Sequence, residues 1–187
     1  MHTIRAFIAV ELEAEIKDEI LRIQDILKTS EADVKWVKPE NLHITLKFLG
    51  NVQQEKIEKI KDALIGCLSY FKPFSLKLNS LGIFPKIANP RVIWINAVSA
   101  DNALEKLAAS TEAALVSLKF PKEKRTFKSH ITLGRVRSNR NREKLSGVFE
   151  KTDICQKEMM TEAVSLFKSA LSSAGPHYEV LSTIKLG

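Results

Sequence analysis

The chain has 187 residues, 44% of them hydrophobic and 27% charged, with a net charge of +7. That is ordinary for a soluble globular domain and excludes wholesale disorder. No apolar run approaches the ~20 residues of a membrane-spanning helix, and Met1–Leu12 lacks the layout of a secretory leader.

In chain order, Ile4–Leu12 is apolar and rich enough in β-formers for a buried strand. Residues 13–28 place Ile16, Ile20, Ile23 and Leu27 on one face of a helix. Val34–Val37 and Leu42–Leu49 flank the turn Lys38-Pro39-Glu40-Asn41, and the second run is a strand. Residues 53–70 form a second helix, with Ile57, Ile60, Leu64 and Leu68 inward. Strands at Phe74–Leu81 and Arg91–Val98 are separated by a loop containing Gly and Pro. A third helix over 101–118 turns Leu104, Leu107, Thr111 and Leu115 inward, with Asp101 as its cap. A strand at Ser129–Val136, a short helix over 140–149 and strands near 160–168 and 178–186 complete the order.

The charge is concentrated. From Lys122 to Lys144 there are nine Lys or Arg against two acids, and the rest of the chain holds 20 basic and 20 acidic residues. By itself this segment reads as a solvated basic loop or as a surface that meets a polyanion such as RNA. Two cysteines, Cys67 and Cys155, are too few for a disulfide framework or a zinc site. The expected location is the cytoplasm, with both thiols reduced.

The order of elements repeats. His43-Ile44-Thr45-Leu46 recurs unchanged as His130-Ile131-Thr132-Leu133, 87 positions on. Arg5–Val10 ahead of the first helix answers to Arg91–Asn96 ahead of the third, and the strand at Phe74 to one near Thr161. The expected architecture is α+β, with two pseudo-symmetric lobes. Each is an antiparallel-rich sheet with helices on its outer face, and the cleft lies between them, in one bilobal domain over residues 1–187.

Alternation along a strand projects His43 and Thr45 from one face and Ile44, Leu46 and Phe48 from the other. His130 and Thr132 project together in the same way. Two histidines across a cleft supply a base and an acid at once, because their ordinary pKa of about 6.5 lets one be neutral and the other protonated. In-line displacement at phosphorus needs that pair, and threonine hydroxyls can hold its non-bridging oxygens. A metal site is disfavoured, because neither strand carries a third ligand at the required spacing. His2 and His177 have no partner pattern and read as structural or exposed, and Trp36 and Trp94 read as core.

Two copies of His-x-Thr-Leu, in "NLHITLKFLG" and "FKSHITLGR", together with "IRAFIAVEL", "VKWVKPENLH", "LGIFPKIANPRVIWINA" and "GPHYEVL", resemble the 2H phosphoesterases. Among these the chain is similar to the RNA 2′,3′-cyclic phosphodiesterases, or 2′-5′ RNA ligase family, over nearly its whole length. The resemblance implies that His43 and His130 are the catalytic pair and that Thr45, Thr132 and Arg135 hold the phosphate. It also implies hydrolysis of 2′,3′-cyclic phosphate RNA ends to a 2′-phosphate. His43 is assigned as the acid and His130 as the base, and the near-identity of the two motifs leaves the opposite assignment open. With a 5′-hydroxyl end in place of water, the same groups would make a 2′-5′ linkage. RNA is the expected partner, with no metal or other cofactor, and a monomer is expected. Strict alternation aims Arg135 away from His130, so a bulge at Gly134 is expected. Alternation puts Lys47 on the His43 face, making it a candidate RNA contact together with Lys128 and Arg137. The competing readings are a non-catalytic RNA-binding module and a hydrolase of another small cyclic phosphate, such as ADP-ribose cyclic phosphate.

Overall fold

A computed structural model describes residues 2–172 and 175–187. The chain runs β1 (Thr3–Glu11), α1 (Ala14–Lys28), β2 (Val34–Trp36), β3 (His43–Gln53), α2 (Ile57–Leu68), β4 (Phe74–Lys86) and β5 (Asn89–Ser99). It continues through α3 (Ala103–Val116), β6 (Ile131–Val136), α4 (Arg142–Glu150), β7 (Glu158–Thr161), β8 (Ala163–Ser172) and β9 (Gly175–Lys185).

The apolar spacing that suggests each helix also determines how it packs. Ile16, Ile20, Ile23 and Leu27 of α1, Ile60, Leu64 and Leu68 of α2, and Leu104, Leu107 and Leu115 of α3 are all buried against the sheet. On β1, Ala6, Ile8 and Val10 face this helix-covered core. The opposite parity, Phe7 and Ala9, joins Phe167 in a second cluster on the other face of the sheet. Period two along β1 thus separates a structural face from a face free for chemistry.

The described strands form one antiparallel sheet in the order β7-β4-β5-β6-β3-β1-β8-β9, with β2 added beside β6. At its middle, β3 and β6 share one registered pair, Ile44 with Ile131. This thin junction divides the sheet into two lobes, β3-β1-β8-β9 and β6-β5-β4-β7. The sheet curls, and Asn41, just ahead of β3, donates to the carbonyl of Pro176 on β9, three strands away.

The lobes are not the two halves of the sequence. First-half strand β4 pairs with second-half β5, and second-half β8 pairs with first-half β1. Each lobe therefore takes two strands from the other half: β8 and β9 join β1 and β3, and β4 and β2 join β5 and β6. Two local expectations also change. Gly82 and Pro85 lie inside β4, which with β5 forms one long hairpin rather than two short strands and a loop. The Trp94 indole lies where a Cβ on Gly82 would be, with the nearest ring atom 2.1 Å from that position, so glycine is required by packing. Asp101 does not cap α3. It has φ 52°, and the Leu104 amide is held instead by Ser99 Oγ at 2.9 Å.

Candidate active site

His43 opens β3 and His130 immediately precedes β6, so the antiparallel Ile44–Ile131 pair brings the two motif histidines to one junction, diagonally offset on either side of that pair. In each ring Nδ1 lies 2.7 Å from the carbonyl oxygen two residues upstream, that of Asn41 and that of Lys128. A carbonyl only accepts, so Nδ1 donates in both rings and Nε2 is left for other work. His43 Nε2 lies 3.0 Å from Thr45 Oγ1, the hydroxyl two residues along the same strand face.

Aromatic rings fix both imidazoles. Phe7 lies 4.9 Å from the His43 ring, and Tyr178 meets it edge-on at 5.4 Å. Phe84 and Trp94 stack on each other and meet His130 edge-on at 5.9 and 6.4 Å. Burial holds His43 below the ordinary histidine pKa. The Asn41 carbonyl works against this, and the charge of His130 adds to it, which puts the two rings within electrostatic reach. The cleft between them has a volume of about 440 Å³, and its walls include His43, Thr45, His130, Thr132 and Arg135. No carboxylate lines it among the described residues. Nor do these contain a cluster of three or more His, Cys, Asp or Glu able to hold a metal ion.

Arg135 reaches the cleft because β6 bulges. Gly134 pairs with Ile93 and Thr132 with Trp94, leaving Leu133 unpaired. Thr132 and Arg135 thereby share one face, while Leu133 and Gly134 face inward. A Cβ on Gly134 would come within 2.6 Å of Val34 and 2.9 Å of Trp36, so glycine lets β2 close against the bulge. Buried Gln24 of α1 donates to the carbonyls of both Val37 and Leu133 at 2.9 Å, which ties the bulge to the approach to β3. Gln24 lies beside the apolar stripe of α1 and has no sequence signature beyond its position.

The same bulge occurs in β3, and there it reverses the expectation. Thr45 pairs with Ala9 and Lys47 with Ile8, so Leu46 is the extra residue. Lys47 therefore turns inward with Leu46 and is not an RNA contact. It is 3% exposed, and its ammonium donates to Glu112 at 2.7 Å and to the Pro121 carbonyl at 2.9 Å. Phe48, expected in the core, turns into the cleft and is 61% exposed. The equivalence with Arg135, 87 positions on, could have revealed it. Lys128 and Arg137 are exposed, but neither lines the cleft. Trp36 lines it, and Trp94 is only half-buried beside His130. His2 and His177 are exposed.

The family model described as LigT like Phosphoesterase matches residues 10–94 and 97–178. A protein of Methanothermobacter thermautotrophicus named RNA 2′,3′-cyclic phosphodiesterase is 37% identical over 184 residues, 98% of this chain and 99% of that protein. Among solved structures, one from Thermus thermophilus superposes with a TM-score of 0.82 at 28% identity, covering 97% of each chain. The E. coli LigT complexed with 3′-AMP superposes with a TM-score of 0.78 at 25% identity, covering 99% of each.

Proposed function

The chain belongs to the LigT-like phosphoesterase family, and on that premise we propose that it hydrolyses 2′,3′-cyclic phosphate ends of RNA by two-histidine acid–base catalysis. The observation that carries the mechanism is the matched anchoring of the two rings. Each Nδ1–H is committed to a backbone carbonyl, so both Nε2 atoms are left to exchange protons in one cleft.

With a cyclic phosphate between the rings, His130 Nε2 takes a proton from water as its oxygen attacks phosphorus. The P–O3′ bond breaks on the far side, and His43 Nε2–H protonates O3′. The products are a 2′-phosphate and a 3′-hydroxyl. Burial keeps His43 neutral in the free protein, and the arriving anion favours the protonated form that an acid needs. The Thr45 hydroxyl, held on Nε2 in the free protein, is positioned to turn to a non-bridging oxygen, with Thr132 and Arg135 serving the others. With a 5′-hydroxyl end in place of water, the same displacement forms a 2′-5′ linkage and releases the 3′-hydroxyl.

The test is hydrolysis of a cyclic-phosphate RNA with EDTA present, comparing wild type with His43→Ala and His130→Ala and assigning the product by phosphorus NMR. The expected result is EDTA-resistant turnover to a 2′-phosphate, with each variant slower by about 10²–10⁴-fold. Undiminished turnover in either variant would remove that histidine from the mechanism. Tight RNA binding without turnover by folded wild type would favour a binding module instead.

A further inference from the structure

The cleft holds more positive charge than one cyclic phosphodiester can use. Arg5 of β1, Lys35 of β2 and Arg135 of β6 all line it. Lys35 and Arg135 are directly opposed across the β2–β6 ladder, so two like charges share one face of the sheet. Such a pair is destabilising unless an anion sits between or beside its members. None of the three makes a salt bridge within the described residues.

The three cations converge on the β8–β9 hairpin. The charges of Arg135 and Arg5 both act on the Tyr178 hydroxyl, opposing the rise that burial gives its pKa, so both guanidinium groups lie near one phenol. The Lys35 ammonium reaches Gly175 at the start of β9, 3.6 Å from where a Cβ would stand. Arg5 and Lys35 line the same cleft but are not among the groups already assigned to the reacting phosphate. A cyclic phosphodiester carries a single negative charge, which Arg135 alone can match.

We infer that Arg5 and Lys35, with the Tyr178 hydroxyl, form a second phosphate site, which holds the phosphate on the 5′ oxygen of the sugar bearing the cyclic phosphate. This rests on the proposed cyclic phosphate hydrolysis and narrows its substrate class. The enzyme favours a cyclic-phosphate nucleotide that carries a further phosphate on its 5′ side over a simple nucleoside cyclic phosphate. That phosphate can be an internucleotide linkage of RNA or a terminal 5′-phosphate.

Three substrates separate these cases: adenosine 2′,3′-cyclic phosphate, its 5′-phosphorylated form, and the dinucleotide ApA ending in a 2′,3′-cyclic phosphate. In wild type, kcat/KM is expected to rise about tenfold or more when the 5′ phosphate is present, chiefly through KM, and the gain shrinks with added salt. In Arg5→Met and Lys35→Met, both at exposed positions, the ratio between substrates falls toward one. A gain for the dinucleotide alone identifies the site as a reader of RNA linkages. A gain for both shows that it reads the phosphate group itself. Equal kcat/KM for all three substrates in wild type would overturn the second site and leave cyclic phosphate hydrolysis standing. Calorimetry with adenosine 2′,5′-bisphosphate and 2′-AMP judges the site even if no substrate turns over. A preference for the bisphosphate that Lys35→Met abolishes supports it, and equal affinities in wild type would overturn it.

Discussion

A histidine that must accept and release protons is usually kept where water can reach it, yet His43 sits among Phe7, Phe167 and Tyr178. Those rings provide no counter-charge, so the imidazolium is disfavoured and the residue takes up a proton only below the ordinary histidine pKa of about 6.5. The limb that His43 contributes to kcat/KM, which reports the free enzyme, should therefore lie below pH 6.5. A bound anion acts in the opposite direction, so the limb that His43 contributes to kcat should move up. Proton-detected NMR of the ring carbons gives a direct check. His43 should titrate below 6.5 in wild type and move upward in His130→Ala, because a neighbouring positive charge has been removed. Titration of His43 at or above 6.5 in both proteins would show that the aromatic surround does not control its charge.

At the scale of elements, the two bulged strands determine which side chains meet the substrate. Helix faces and the succession of helices and strands along the chain were legible in the sequence, because apolar spacing at 3.6 or 2 reflects the burial that stabilises each element. The bulges were only half legible. Gly134 signals one in β6, since a residue without a side chain suits a close approach by a neighbouring strand. Lys47 gives no such sign in β3, because a lysine in an alternating run reads as surface. Its burial depends on a partner 65 residues away, Glu112 of α3. Glu112 also accepts the Glu123 amide at 3.1 Å, and Lys47 donates to the Pro121 carbonyl, so the pair fastens the loop leading to His130 onto the strand that carries His43. Removing one partner leaves a buried charge only partly satisfied. Glu112→Ala should cost about 3–5 kcal/mol in urea unfolding. Lys47→Met should cost clearly less, since it removes the buried charge and leaves a carboxylate that is 20% exposed and still accepts the Glu123 amide. Losses below about 1 kcal/mol in both variants would mean that the pair does not fasten the loop.

For the whole molecule, the exchange of strands matters more than the internal likeness of the two halves. A lobe built only from its own half of the sequence would lack an inner strand. β1 would lose β8 along the face that carries Phe7 and Phe167, and β5 would lose β4 along the face that carries Trp94 and Phe84. Those rings hold the two histidines, so a lobe cannot open by itself without dismantling its own part of the site. The β3–β6 junction, with one registered pair, is too thin to make the lobes cooperative by itself, so the crossing strands and the common helix-covered core must do so. Native-state hydrogen exchange measures this coupling. The amides of Ile8 in β1 and Ile93 in β5, both fully buried and in different lobes, should exchange only through global unfolding, with the same free energy. Fragments 1–88 and 89–187 should each lack a cooperative unfolding transition alone. If Ile8 and Ile93 exchanged with free energies several kcal/mol apart, or if either fragment folded cooperatively, the lobes would be independent units and the cleft a hinge. Equal free energies would make the cleft a rigid seam, its two histidines held in register by β4 and β8, each anchored in the lobe opposite its own half of the sequence.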